Sequence, residues 1–483
     1  MSNVNVDKKV FLSIFSTVFL PMFLAAIDQT LLATATPDIV RDLGGMQLAS
    51  WIVIGYMLTG AATIPIYGWL GDQFGRRNML VLALGIFAFG SVFCALSNSM
   101  LQLVIGRILQ GVGSGGLMSL SQALIGEVVP PRQRARFQGY FSAFFALSSI
   151  SGPVLGGVVV TYLSWQWLFW FNLPLIALGV YRLSRLQTTV QPATRRRIDL
   201  YGLMLFPILT AVIIYWLSSG GHYFAWDSLT SIALLGIFIF TFVVFVWQQK
   251  RTQDSFLPLH LLVKKEIHRP LMSAFMFAGC LFLLAFFLPI FLQVALGLNA
   301  AQAGVHMIPL SAGVICGAYT TGKLISYYGV PKYIPVVGMS FTAVNLLLLG
   351  GLVPTANLVS GLAFLCGCGL GTVMPSTQLT IQTIAGKSHL GRITAMGGLS
   401  RSLGASVGTA MFGTLIYSLI PGFGVSSSIN VLVNAPHDVV VGAFQWGFKA
   451  AALLAVVCAI NALCVPRIHL DDYAFDDTPP NKR

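Results

Sequence analysis

Fourteen apolar stretches of about 20 residues or more alternate with short polar connections along the chain, near 11–36, 49–70, 78–97, 101–125, 137–162, 165–184, 199–217, 228–249, 270–295, 303–325, 333–353, 357–383, 393–420 and 441–465. A helix needs roughly 20 residues to cross about 30 Å of hydrocarbon at ~1.5 Å per residue. The pattern therefore predicts fourteen membrane-spanning helices and an all-α membrane protein. An even number of spans places both termini on the same side.

Composition agrees with that reading. Of 483 residues, 56% are hydrophobic and only 9% charged, with a mean hydropathy of +0.81, far outside the range of soluble globular chains. The net charge of +13 would suggest a nucleic-acid partner in a soluble protein. Here position decides its meaning. With the N-terminus in the cytoplasm, 24 of the 28 Lys and Arg residues fall in cytoplasmic segments, which is the positive-inside asymmetry. Arg41 lies outside, and Arg107, Arg401 and Lys449 lie within spans. Ala33-Thr34-Ala35 has the form of a signal-peptide cleavage site, but its apolar run is too long, carries an acid and leads into further membrane segments. The seven cysteines all fall in predicted spans with no pairing or metal pattern, and read as small apolar residues.

An internal repeat organises the chain. GWLGDQFGRR at 68–77 is echoed by GKLISYYGVPK at 322–332, and GVGSGG at 111–116 by GCGLG at 367–371, with offsets of 254 and 256 residues. Both carry helix n onto helix n+8. The expected domains are a six-helix bundle at 1–188, two inserted helices with basic linkers at 189–255, a second six-helix bundle at 256–466 and a cytoplasmic tail at 467–483. Two repeats around a central cavity are the organisation of a secondary transporter. The charges were not duplicated: Ser326 stands opposite Asp72, Val330 and Pro331 opposite Arg76 and Arg77, and Ala363 opposite Arg107.

Several motifs carry chemistry. In the 68–77 loop, Gly68, Gly71 and Gly75 permit a tight turn, and Asp72 facing Arg76 and Arg77 predicts an ion-pair latch between bundles. In ALSSISGPVLGG at 146–157, Ser148, Gly152 and Gly156 share one helix face, which permits close approach of a neighbouring helix, and Pro153 can bend the helix. Gly157 follows. The first and fourth spans each hold a deep charge. If helix 1 ends near Thr36, Asp28 lies about eight residues, roughly 12 Å, below the outer surface, and Arg107 lies about seven residues, roughly 10 Å, from the start of helix 4. Charges in hydrocarbon are costly and usually face a cavity and a partner. Asp28 is therefore the expected proton carrier and Arg107 its counter-charge, releasing the carboxylate when the bundles rock.

GWLGDQFGRR resembles the signature loop of the major facilitator superfamily, and ALSSISGPVLGG its antiporter motif. IDQTLLATATP at 27–37, VIGRILQGVGSGG at 104–116 and SRSLGASVGTAMFG at 400–413 are similar to the superfamily's fourteen-helix drug:proton antiporter branch. Gln166 in SWQWLFWFNLP departs from the branch, which usually has Arg there. The resemblance implies a major facilitator fold of 6+2+6 helices, a leak-blocking role for Gly152, Pro153, Gly156 and Gly157, and proton-coupled export of amphipathic small molecules or drugs across a bacterial inner membrane. The other reading in the same class is a dedicated exporter of a siderophore, fatty acid or lipid.

Remaining polar residues in the spans are candidates for a substrate cavity: Gln378 and Gln382, one turn apart in helix 12, with Arg401 and Lys449. Arg401 is also near enough to the cytoplasmic end to snorkel. A channel would need a continuous polar stripe in several helices. An enzyme would need paired acids, a metal cluster or a nucleophile with its base, and neither pattern is present. The expected partners are protons, amphipathic substrates and lipid, with no cofactor, metal or nucleic acid, and the chain is expected to be monomeric.

Overall fold

The computed structural model describes residues 8–186, 199–220, 224–252, 255–420 and 436–472. Among these residues the structure is helical, with no strand beyond an isolated bridge between Gly220 and Phe224. The long helices are α1 (Lys8–Leu43), α2 (Ala49–Phe74), α3 (Arg76–Ala95), α4 (Met100–Val128), α5 (Pro131–Tyr162), α6 (Asn172–Arg185), α7 (Leu200–Ser219) and α8 (Leu229–Arg251). They continue as α9 (Lys265–Val294), α10 (Ala300–Tyr328), α11 (Tyr333–Leu349), α12 (Ala356–Ala385), α13 (Leu390–Ser418) and α14 (His437–Leu463). Nine described helical segments are long and apolar enough to cross a membrane. The Arg195 to Arg197 linker and most of the 467–483 tail lie outside the described residues.

Three edges differ from the sequence expectation. Helix α1 runs to Leu43 instead of ending near Thr36. Beyond its apolar run it is supported by an Asp38–Arg41 pair one turn apart and by Asp42, which accepts the Trp165 indole N–H at 2.9 Å. The 165–184 stretch opens with a short turn, Trp167–Trp170, before α6 begins. Helix α12 is two pieces, Ala356–Leu370 and Val373–Ala385, meeting at Gly371 and Thr372.

The sequence repeat survives as backbone contact. A Cβ on Gly111 or Gly115 of α4 would overlap the α2 backbone at Tyr56 and Gly60, and one on Gly113 the α3 backbone at Ala83 and Phe87. Gly367 and Gly371, 256 residues later, meet α10 at Leu310 and Val314 in the same way, and Gly369 meets α11 at Gly338. The turn glycines repeat too: Gly75 has φ +87° and Gly329 φ +70°, a left-handed conformation that only glycine adopts without strain. Gly68 and Gly71 lie within α2 rather than in the turn.

Helices α1 to α6 pack around Leu80, Leu84, Phe87, Leu117, Leu124 and Phe141. Helices α9 to α14 pack around Phe287, Phe291, Met339, Phe412, Phe444 and Phe448. Contacts between the two bundles gather in the half of the molecule that carries the α2–α3 turn, here called the Asp72 end. There a Cβ on Gly68 would lie 2.7 Å from Gly391 O, and one on Gly139 of α5 2.8 Å from Ala318 O of α10. Helix α7 covers the α2–α13 crossing through Trp69, Phe206, Leu209 and Leu399. Helix α8 is peripheral, with 17% of its apolar window buried against 67% for α4. Asp199 ties the pair down, accepting from Gly202 N at 2.9 Å, Gln249 Nε2 at 2.6 Å and Phe256 N at 2.9 Å.

Candidate functional site

Asp28 and Arg107 meet inside the first bundle. The Arg107 Nη1–Asp28 Oδ2 distance is 2.6 Å, and both side chains are almost fully buried, at 1% and 3% exposure. Removing two such charges from water costs several kcal/mol per ion, which is offset only when further hydrogen bonds satisfy both groups. Here they do. Asp28 Oδ1 accepts from Gln110 Nε2 at 3.1 Å and Asn172 Nδ2 at 3.2 Å. Arg107 Nε donates to Ile52 O at 3.1 Å, Nη1 also donates to Gln110 Oε1, and the guanidinium lies 4.0 Å from the centre of the Tyr56 ring.

Each partner is placed by local geometry. Gln110 is three residues beyond Arg107 on α4, so the two side chains share a face. Gly90 allows α3 to approach so closely that a Cβ there would lie 2.6 Å from Gln110 Cα. That approach brings Ser91 Oγ within 2.8 Å of Gln110 Nε2 and 3.4 Å of Asn172 Nδ2. The site thus draws on α1, α2, α3, α4 and α6. Gln110, Asn172, Ser91 and Tyr56 were not singled out from sequence, although the i+3 spacing from Arg107 was a usable signal for Gln110.

At the Asp72 end a second buried charge network joins the bundles. Asp72 Oδ1 accepts from Arg76 Nη2 at 2.8 Å and from Gly391 N at 2.8 Å, while Oδ2 accepts from Arg392 N at 3.0 Å. The carboxylate therefore caps the N-terminus of α13, where unpaired amides and the helix dipole favour an anion. Glu127 holds the other side of Arg76 at 2.6 Å. Arg77 does not join this group. It is one position further along α3, turned away by about 100°, and its Nη2 donates to Ser184 O at the end of α6, 2.7 Å away. The hydrogen bonds across the bundles run from backbone amides to Asp72, with the Arg392 Nε also 3.8 Å from Oδ2, and the amide partners are ones that no side-chain motif announces.

In α5 the face expected to be buried is buried at Ser148, Gly152 and Gly156, while Leu155 is exposed and a Cβ on Gly157 would meet nothing within 4 Å. The Pro153 side chain lies outside the described residues. Gln378 and Gln382 are both about 1% exposed. Gln378 Oε1 accepts from Arg401 Nη1 at 3.1 Å, so Arg401 turns toward α12 and does not snorkel. Gln382 Nε2 donates to Gln122 O of the first bundle at 3.2 Å. Lys449 is not brought to this group. Its ammonium lies 4.7 Å from the ring centre of Trp446, which is exposed, and its stem packs beside Gly350 at the far end of α11.

The family model of the major facilitator superfamily matches residues 18–409. The chain is 32% identical over 401 residues to the multidrug transporter protein MdtP of Bacillus subtilis, an alignment covering 83% of this chain and 74% of that one. It is 29% identical to multidrug resistance protein 3 of the same organism, covering 82% and 78%. The solved structure of the human organic anion transporter MFSD10 shares the fold, with a TM-score of 0.68 at 16% identity over 93% of this chain and 99% of that one. The chain belongs to the major facilitator superfamily, and is a multi-pass membrane transporter rather than an enzyme.

Proposed function

We propose that this chain is a proton-coupled antiporter that exports amphipathic small molecules across the bacterial cytoplasmic membrane by alternating access. Fourteen helices span the bilayer as 6+2+6, the Asp72 end and both termini face the cytoplasm, and the protein works as a monomer. The observation that carries the proposal is the Asp28–Arg107 pair, a carboxylate buried in the first bundle and held by one cation and two amides. Such a carboxylate has two ways of being stable in a low-dielectric site: paired with Arg107, or neutral with a proton bound. The names of the Bacillus relatives support the multidrug reading.

The sequence of steps follows from the two networks. With Asp72 capping α13, the cytoplasmic end is shut and the outer half is the side free to open. A proton arriving on Asp28 replaces the charge that holds Arg107, and the helices gripping the pair are free to shift. The bundles then rock, the Asp72 bonds to Gly391 N and Arg392 N break, and the cavity opens inward. The proton leaves, substrate enters and Arg107 regains its partner. Proton and substrate thus alternate on one device.

The charge inventory limits the cargo. Asp28 is paired with Arg107, and Asp72 and Glu127 with Arg76, so these three acids are already committed. Neutral or singly charged amphiphiles suit such a seam, and rigid divalent quaternary ammonium compounds do not. Purified protein in proteoliposomes with an imposed pH gradient tests the proposal. Addition of a suitable amphiphile should dissipate the gradient, while no amphiphile in a broad panel doing so would refute antiport.

A further inference from the structure

Arg401, a partly buried cation, is not used by either network. Arg401 lies on α13 eleven residues, about 16 Å, from Leu390 at the Asp72 end, in the seam between the bundles. Its Nη1 donates to Gln378 Oε1, and no carboxylate among the described residues is within ion-pair distance of it. A guanidinium carries five N–H donors and a full charge. A single neutral amide oxygen leaves most of both without a partner in the protein.

The surroundings increase the imbalance. Gln378 Nε2 and Gln122 Nε2 are buried with no hydrogen-bond partner, on side chains only 1% exposed. Gln122 belongs to the first bundle and its backbone carbonyl accepts from Gln382 of α12, whose Oε1 is the one buried acceptor left open among these four residues. Among the buried open atoms two amide donors face one acceptor, and the guanidinium beside them is cationic. The apolar part of the setting is α2: a Cβ on Gly398 would lie 3.2 Å from Ile64 Cγ2 and 3.8 Å from Arg401 Nη2. Cation, amide donors and an apolar wall together complement an amphipathic anion.

We propose that Arg401 and Gln378 receive the acidic end of the transported molecule, a carboxylate on an amphipathic body. The assignment rests on the exporter reading for its consequence, and on the donor excess for its chemistry. A planar carboxylate matches the guanidinium fork in two parallel hydrogen bonds. With Gln122 supplied by the opposite bundle, binding at this point draws on both halves of the molecule.

The test uses two probes that share one amphipathic body, 11-(dansylamino)undecanoate and its uncharged methyl ester, titrated by fluorescence into the full chain in phosphatidylcholine nanodiscs. The carboxylate should bind at least tenfold tighter than the ester. In Arg401→Gln that ratio should fall to about one, and in Arg401→Lys it should stay above about threefold, because the charge remains and only the fork is lost. Gln378→Leu, which keeps the cation, should lower the ratio without abolishing it, so the assignment stays testable if Arg401→Gln fails to fold. Equal affinity for the two probes in the unaltered protein, or an unchanged ratio in Arg401→Gln, would overturn it. Loss of the preference when a third of the lipid is replaced by phosphatidylglycerol would also overturn it, because the anion in the seam would then be a lipid headgroup. Transport of the same probes in proteoliposomes separates the two readings: ester transport without carboxylate preference sinks the anion site alone, and Arg401-dependent binding without any transport sinks the exporter reading alone.

Discussion

The two bundles share a skeleton and differ in what it holds. Gly111, Gly113 and Gly115 press α4 onto α2 and α3 as Gly367, Gly369 and Gly371 press α12 onto α10 and α11. Inside the first bundle that skeleton surrounds Asp28, Arg107, Gln110, Asn172 and Ser91, all buried. The second bundle is filled by rings, with Phe287, Phe291, Phe412, Phe444 and Phe448 in mutual contact. The difference teaches that helix packing and chemistry are set separately. Small residues at fixed spacing determine how near the helices come, and the buried charge pair with its amide partners is added to only one copy.

The largest expected effect comes from separating the charges of the first bundle. Arg107→Ala leaves the Asp28 carboxylate buried with amide partners alone, which should lower stability by about 3–5 kcal/mol if the site cannot take up a proton. Thermal unfolding in detergent at neutral and at acidic pH would read this, and most of the loss should be recovered on acidification, where a proton replaces the missing cation. The substitution of an arginine for Ala363, the counterpart of Arg107 in the second bundle, has no acid waiting for it and should destabilise at every pH.

Next in size are the shared glycines. Gly113→Val and Gly369→Val each place side-chain atoms inside a neighbouring helix backbone, so both should destabilise by at least about 1–3 kcal/mol, measured as loss of folded protein on heating. A large effect in one bundle and none in the other would break the claim of a common skeleton.

Smaller and conformational is the effect of Asp72→Asn. The amide keeps the shape but weakens bonds to Gly391 N and Arg392 N that draw on the carboxylate charge, each on the order of 1.5–3 kcal/mol. The population should shift toward states open at the Asp72 end, seen as increased labelling of cysteines placed along the facing halves of α2 and α13. Ser326→Ala at the repeat-related position should leave the labelling unchanged, since Ser326 stands where the second half has no such carboxylate.

How much of this the chain discloses depends on distance along it. Asp28 and Arg107 were legible because each is an ionisable group inside an apolar run, and depth could be counted even with α1 seven residues longer than expected, ending at Leu43 rather than Thr36. Gly75 was legible from its place between two helices. The hydrogen-bond partners of Asp72 across the bundles were not, because Gly391 and Arg392 donate through backbone amides, which every residue but proline has, and the Arg392 guanidinium, 3.8 Å from Asp72, is 320 residues away in the chain. Arg77 misled because adjacency in sequence turns a side chain by about 100° on a helix, toward Ser184 instead of Asp72. Lys449 misled differently: a place within a span does not say which face of α14 the side chain occupies, and it packs with exposed Trp446.

The most direct measurement compares two modes of transport by Asp28→Asn in proteoliposomes. Substrate counterflow, which needs the cavity and the rocking motion but no net proton movement, should persist at a sizeable fraction of the unaltered rate. Accumulation driven by a pH gradient should be lost, because the asparagine keeps the shape of Asp28 and cannot bind the proton. Gradient-driven accumulation at the unaltered rate would contradict the assignment of Asp28 as the coupling group.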